Sequence, residues 1–189
     1  VFIGVIGNSL ATFSKRIASD IGFYSFESHF TSYSVKNYLW DQSIVQLILN
    51  SLIFLAVLVV AVLGFHFPVT TNLLVQFFLL SLMGIYFSVI GFVLGVRVDA
   101  KTIDTIGFPV IILATMTIIP FDTLGASGGF MDLVGKLQRV FPGYYYTKLI
   151  QDLTEKQTID ATQIALFVAV FGLNLLFFYL LVPKGKMWN

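Results

Sequence analysis

Residues 106–153 read IGFPVIILATMTIIPFDTLGASGGFMDLVGKLQRVFPGYYYTKLIQDL, and the fold turns on how this stretch is divided. Its first third is an apolar run that stops at Pro120 and Phe121. A glycine-rich link follows, with Gly125, Gly128 and Gly129. The remainder is too polar to cross a bilayer and too apolar for a plain loop. Leu133, Leu137, Val140 and Phe141 recur at helical spacing, which predicts a short amphipathic helix ended by Pro142 and Gly143. A membrane helix followed by a shallow helical hairpin is the layout around which the other segments are placed.

Working outward, composition sets the solvent. The chain has 189 residues, of which 57% are hydrophobic and 11% charged. Soluble domains carry about 25% charged residues, so this chain lacks the polar surface of a soluble globule and reads as an integral membrane protein. A net charge of +1 gives no clustered basic footprint for nucleic acid. The absence of cysteine excludes disulfides and thiolate chemistry. The chain opens on VFIGVIG without a methionine, so residues 1–13 read as the exit half of a membrane helix that begins before Val1.

Lys15 and Arg16 follow at once and mark the cytoplasmic side. Residues 14–41 mix serines, aromatics and charges. They predict a short interfacial helix, a turn near His29, and Tyr38 and Trp40 anchoring the next helix at the headgroups. Residues 44–65 contain no charge and predict a span, with Asn50 and Ser51 turned toward other helices. His66, Phe67 and Pro68 close that helix, and residues 73–96 return. Gly84, Ser88, Gly91 and Gly95 lie on one side of the returning helix, either as a close-packing face or because glycine is common in membrane helices. A short charged loop with Arg97, Asp99, Lys101 and Asp104 precedes a span at 106–121, with Pro109 in its first turn. Residues 122–162 form the outer hairpin and loop, and residues 164–182 the last span, with Asn174 as its one polar interior residue. Strict alternation from a cytoplasmic Lys15 puts seven of the 11 basic residues inside, in keeping with the positive-inside rule, and the hairpin outside.

Candidate chemistry is sparse. Residues 95–102 match a phosphate-binding loop except that Ala100 replaces the second glycine. The first glycine, however, ends a membrane helix, where a phosphate loop needs a buried strand in a soluble domain. His29 and His66 fall on opposite sides of the membrane in this topology and share no metal site. No Asp, Glu, Lys, Arg or His lies inside the four predicted spans, which argues against proton-coupled transport and intramembrane catalysis and leaves a passage suited to amphipathic cargo. Asn50, Thr115, Thr117 and Asn174 read as helix–helix hydrogen-bond partners, and Tyr144, Tyr145 and Tyr146 as an aromatic belt.

The order of segments resembles the permease subunit of an ABC-2 type (type V-like) ABC exporter. The matching stretches are IIPFDTL (118–124) and LVGKLQRVFPGYYYTKLIQDL (133–153), together with Arg16, Asp20, Ile21 and Gly22 at the entry to a coupling helix whose body is residues 23–30. The resemblance implies an all-α polytopic membrane bundle with a cytoplasmic coupling helix and an outer re-entrant helical hairpin. Such permeases have six spans, so the first helix and part of the second are expected to precede Val1. The glutamate–arginine pair and the proline seen around the family's coupling helix are not present. The resemblance further implies that Arg16, Asp20, Gly22, Phe23, Phe26 and Glu27 meet an ATPase. Asn50, Phe121, Phe141, Tyr144, Tyr145, Tyr146 and Asn174 would line the path or its outer gate. Gly84, Ser88, Gly91 and Gly95 would pack helices. The implied partners are two copies of an ABC ATPase, a second permease copy and membrane lipid, with no nucleic acid. ATP and Mg would sit on the ATPase, and the chain itself would hold no cofactor, no metal and no catalytic residue. The implied setting is a bacterial plasma membrane and the implied cargo a peptide, lipid, glycolipid or drug. The competing reading is a membrane assembly or immunity subunit that transports nothing.

Overall fold

The computed structural model describes residues 2–27, 35–66, 72–119, 121, 128–155 and 159–181. These residues are helical throughout their regular elements. The first is a composite rod: α1 (Phe2–Gly7), a π-helical segment (Asn8–Phe13) and α2 (Ser14–Glu27) follow one another without a break. Then come α3 (Val35–Phe65), α4 (Asn72–Arg97), α5 (Ala100–Met116), α6 (Gly129–Gln138), α7 (Pro142–Glu155) and α8 (Ala161–Leu181). Among the described residues three helical stretches are long and apolar enough to cross a membrane: Trp40–Phe65, Asn72–Arg97 and Ala161–Leu181. The chain is a membrane protein on that count.

Residues 106–121 do not supply a fourth such stretch among the described residues. Asp99 starts the helix earlier, inside the charged loop, because its carboxylate accepts from the Thr102 amide at 3.0 Å and hydroxyl at 2.7 Å. Those same bonds hold the exposed Asp99 carboxyl below its ordinary range. The helix also stops earlier, at Met116, leaving 17 residues. Pro109 is therefore an interior residue, not a first-turn one, and removes the amide that would have bonded to Thr105. Pro142 and Gly143 are likewise displaced from their predicted role: α6 has ended at Gln138, and Pro142 is the first residue of α7, where its missing amide costs nothing. At 14–41 the reading of a separate interfacial helix also changes. Ser14–Glu27 continues the membrane-level rod, and Val35 already begins the helix predicted from residue 44. The turn near His29, and Phe67 and Pro68, lie outside the described residues.

Two directions organise the bundle. The rod runs parallel to α4, since Gly84 faces Val5, Ser88 faces Ser9, and Gly95 faces Ser14 and Ile17. It runs antiparallel to α5, with Gly7 opposite Ile111, Gly107 opposite Ala11 and Lys15 paired to Asp104 at 2.8 Å. Arg97 donates to the Leu181 carbonyl, so the ends of α4 and α8 and the start of α5 share one end of the bundle. At the opposite end Asn72 donates to the Leu153 carbonyl at 3.4 Å. The core joins Ile6, Leu10, Met83, Tyr86, Phe87, Tyr146, Leu149 and Phe167, and so includes rod, α4, α7 and α8. A smaller cluster of Phe13, Ile17, Tyr38 and Val96 closes the Arg97 end. Tyr38 is buried there and is no headgroup anchor, whereas Trp40 is exposed.

Candidate functional site

A polar ladder joins the rod to α3. Its rungs are Asp20 with Tyr38 (2.9 Å), Arg16 with Gln42 (3.3 Å), Ser9 with Gln46 (3.1 Å) and Asn8 with Asn50 (3.1 Å). On α3 the rungs recur every fourth residue, the spacing of one ridge on a helix surface. On the rod the spacing of four runs from Asp20 to Arg16 and is then broken. Thr12, the next residue in that series, is exposed, and Ser9 takes its place. Asn8 resumes the series of four, and the π-helical segment Asn8–Phe13, whose turn is wider, spans the position where Ser9 faces inward and Thr12 outward; π segments recur at functional sites.

Ser9 is the hub of the inner half. Its hydroxyl accepts from Gln46 and, at 3.5 Å, from Asn50, and lies 3.3 Å from the Ser88 hydroxyl. Ser88 in turn donates to the Gly84 carbonyl at 2.7 Å. Ser9, Gln46, Asn50 and Ser88 are all buried. In a bilayer an unpaired amide costs several kcal/mol, so the network explains how three amide side chains are accommodated at this depth. Asn50 lies ten residues into the Trp40–Phe65 span, about 15 Å at the helical rise, near mid-bilayer. Beside it a crevice of about 20 Å³ is lined by Val5, Leu47, Asn50, Ser51, Phe54, Phe77, Leu80 and Ser81, room for one water. Sequence reading singled out Asn50 and Ser88 but missed Gln46, whose position four residues before Asn50 was the available signal. Ser9 had no such signal, since its rotation depends on the π segment.

The rod can approach α4 closely because of the glycine face. A side-chain carbon on Gly91 would fall into the Ser9 carbonyl, and one on Gly95 would lie 2.5 Å from the Ser14 carbonyl and 2.7 Å from the Ile17 Cβ. These are backbone contacts that no side-chain adjustment relieves.

The hairpin residues are tied to the bundle differently. Gln138 donates to the Met116 and Ile119 carbonyls at 2.6 and 2.7 Å, and Thr147 to the Ile118 carbonyl at 2.7 Å. Together they occupy the carbonyls of Met116, Ile118 and Ile119, at the end of α5 and in the turn just after it. Gly143 sits against Thr117 and Ile118, where a side chain would meet Ile118 at 2.7 Å. Asn174 donates to the Val140 carbonyl at 2.9 Å and accepts from the Tyr86 hydroxyl at 3.3 Å. The Val140 peptide is therefore level with the interiors of α8 and α4, not with their ends. Tyr144 and Tyr146 are buried, Tyr146 within the core, so they are not the predicted surface belt; Tyr145, Phe121 and Phe141 are half-buried.

Of the residues expected to meet a partner, Arg16 and Asp20 belong to the ladder, while Gly22, Phe23 and Phe26 are exposed on α2, whose last residue is Glu27. Among the described residues no group of histidine and carboxylate side chains is placed to hold a metal. Comparison with protein-family models, with curated proteins and with solved structures finds no match to this chain.

Proposed function

We propose that the chain is the membrane-spanning subunit of an ATP-driven exporter of the ABC-2 type, working as a pair with two separate ATPase subunits that bind ATP and Mg. One observation carries this reading. A single helical rod has its first half wedged into the bundle core, with Ile6, Leu10 and Ile17 fully buried, and its last turns outside it. Ile17 is level with Gly95, near the end of α4, and ten residues of α2 follow it, about 15 Å of helix. Phe23 and Phe26 on that extension are 63% and 65% exposed. A push on these aromatics is transmitted along a stiff helix to Ser9 and the ladder, which is what a coupling element does. The Val140–Asn174 bond supports the re-entrant placement of the α6–α7 hairpin, because it sets the hairpin's turn at the depth of a span interior.

The test is co-purification. A P-loop ATPase encoded beside this chain, expressed with it, is expected to co-purify and to hydrolyse ATP faster in its presence. The pair Phe23→Glu and Phe26→Glu is expected to abolish that stimulation while the helical content stays native. Unchanged stimulation in the double variant sinks the coupling role. Failure of every neighbouring ATPase to bind the wild-type chain sinks the exporter reading altogether.

A further inference from the structure

Arg139 and Lys148 share one aromatic ring. The Arg139 guanidinium lies 6.0 Å from the centre of the buried Tyr144 ring, and the Lys148 ammonium 4.6 Å. Neither cation is ion-paired to a carboxylate of another described residue, as Lys15 is to Asp104. Their depth makes this consequential. Val140, next to Arg139, is hydrogen-bonded to Asn174, which lies seven residues from the Leu181 end of α8 and 13 from Ala161, about 10 and 20 Å respectively. A basic residue at the level of a span interior is held there by a partner or by access to water, since hydrocarbon rejects a bare cation. The ring face contributes an attraction weaker than that of a full anionic charge. Leading up to Arg139, Leu133 and Leu137, one turn apart on α6, and then Val140 are exposed and apolar.

From this juxtaposition we propose that the turn between α6 and α7 binds the anionic phosphate headgroup of an amphiphile. Arg139 and Lys148 clasp the phosphate over Tyr144, and its acyl chains lie along Leu133, Leu137 and Val140. A bilayer lipid meets both requirements, because it carries a phosphate and acyl chains in one molecule and approaches this turn from the membrane side, where the long Arg139 and Lys148 side chains can reach toward the headgroup level. The proposal rests on α4 and α8 crossing the bilayer and is independent of the exporter reading.

The purified chain in detergent, offered equal amounts of dioleoylphosphatidylglycerol and dioleoylphosphatidylcholine, is examined by native mass spectrometry. The wild type is expected to retain the anionic lipid in preference. Arg139→Gln and Lys148→Gln are each expected to cut that preference about fivefold, and the pair more. Lys148→Arg keeps it. Lys136→Gln, which alters a cation away from Tyr144, changes it less than about twofold. Inorganic phosphate at equal headgroup concentration is expected not to displace the lipid. An unaltered preference in the exposed-site variant Arg139→Gln, an equal loss with Lys136→Gln, or displacement by inorganic phosphate would each overturn the assignment, the last by making a free anion the ligand.

Discussion

Helices α3, α4 and α8 are about equally apolar, yet half of the apolar stretch of α4 is buried within the chain and only 6% of that of the other two. In water the apolar faces of α3 and α8 would collapse onto the core. In lipid no hydrophobic force distinguishes an inward from an outward leucine, and association depends on close packing and interhelical hydrogen bonds. α4 has the glycine face that lets the rod approach to backbone contact. α3 has one polar ridge, Gln42, Gln46 and Asn50, and docks along it. The contrast shows that apolarity puts these helices in the membrane, while a few small and polar residues decide which of them becomes the centre.

The largest effect is expected where that distinction is purely steric. Gly91→Ala places a carbon on the Ser9 carbonyl, and the rod must move away from α4; the cost is expected to be about 3 kcal/mol, the upper end of overpacking changes. Gly172→Ala on α8, with nothing within 4 Å of its site, is expected to be neutral or stabilising. Reversible unfolding in mixed micelles measures both. Equal costs at the two sites would mean that the glycine face does not set α4 apart.

The polar ridge comes next. Asn50→Leu strips the acceptor from Asn8 and a partner from Ser9, and about 1–2 kcal/mol of stability should be lost. In a double-mutant cycle with Asn8→Ala, a coupling of about 0.6 kcal/mol is expected, the average for hydrogen bonds between membrane helices. A coupling of zero would mean that the polar ridge does not dock α3 and would erase the difference drawn between it and α4.

How much of this was written in the residues can be read at particular positions. The spacing of Gly84, Ser88, Gly91 and Gly95 announces one narrow side of α4 without saying which helix fills it. That depends on the rod's register, and the register depends on a π segment for which the run NSLATF carries no local signature. Gln46 is legible as the i−4 partner of Asn50, although the absence of charge from residues 44–65 does not by itself distinguish it from its apolar neighbours. The end of α5 was not legible at Met116, since the side chains that bond the Met116 carbonyl and the turn after it, Gln138 and Thr147, come more than 20 residues later. Tyr144 and Tyr146 illustrate the same limit. An aromatic run looks alike in a headgroup belt and in a core, and only the packing of α7 on α8 separates the two.

The smallest effect is expected on the faces that the bundle leaves outside. Leu52 on α3 and Leu176 on α8 are 54% and 55% exposed. If lipid covers them in both the folded and the separated helices, truncation removes contacts that lipid chains restore, and Leu52→Ala and Leu176→Ala are each expected to cost less than about 0.5 kcal/mol. The measurement is the same micelle unfolding, repeated at two protein concentrations. A second copy of the chain seated on either helix would raise the cost above about 1 kcal/mol and make it depend on concentration, because the partner is then released on unfolding. A large cost at Leu176 with none at Leu52 would place the interface on α8. The two outer helices, indistinguishable by hydropathy and by burial within one chain, would then differ in what covers them, just as α4 differs from both.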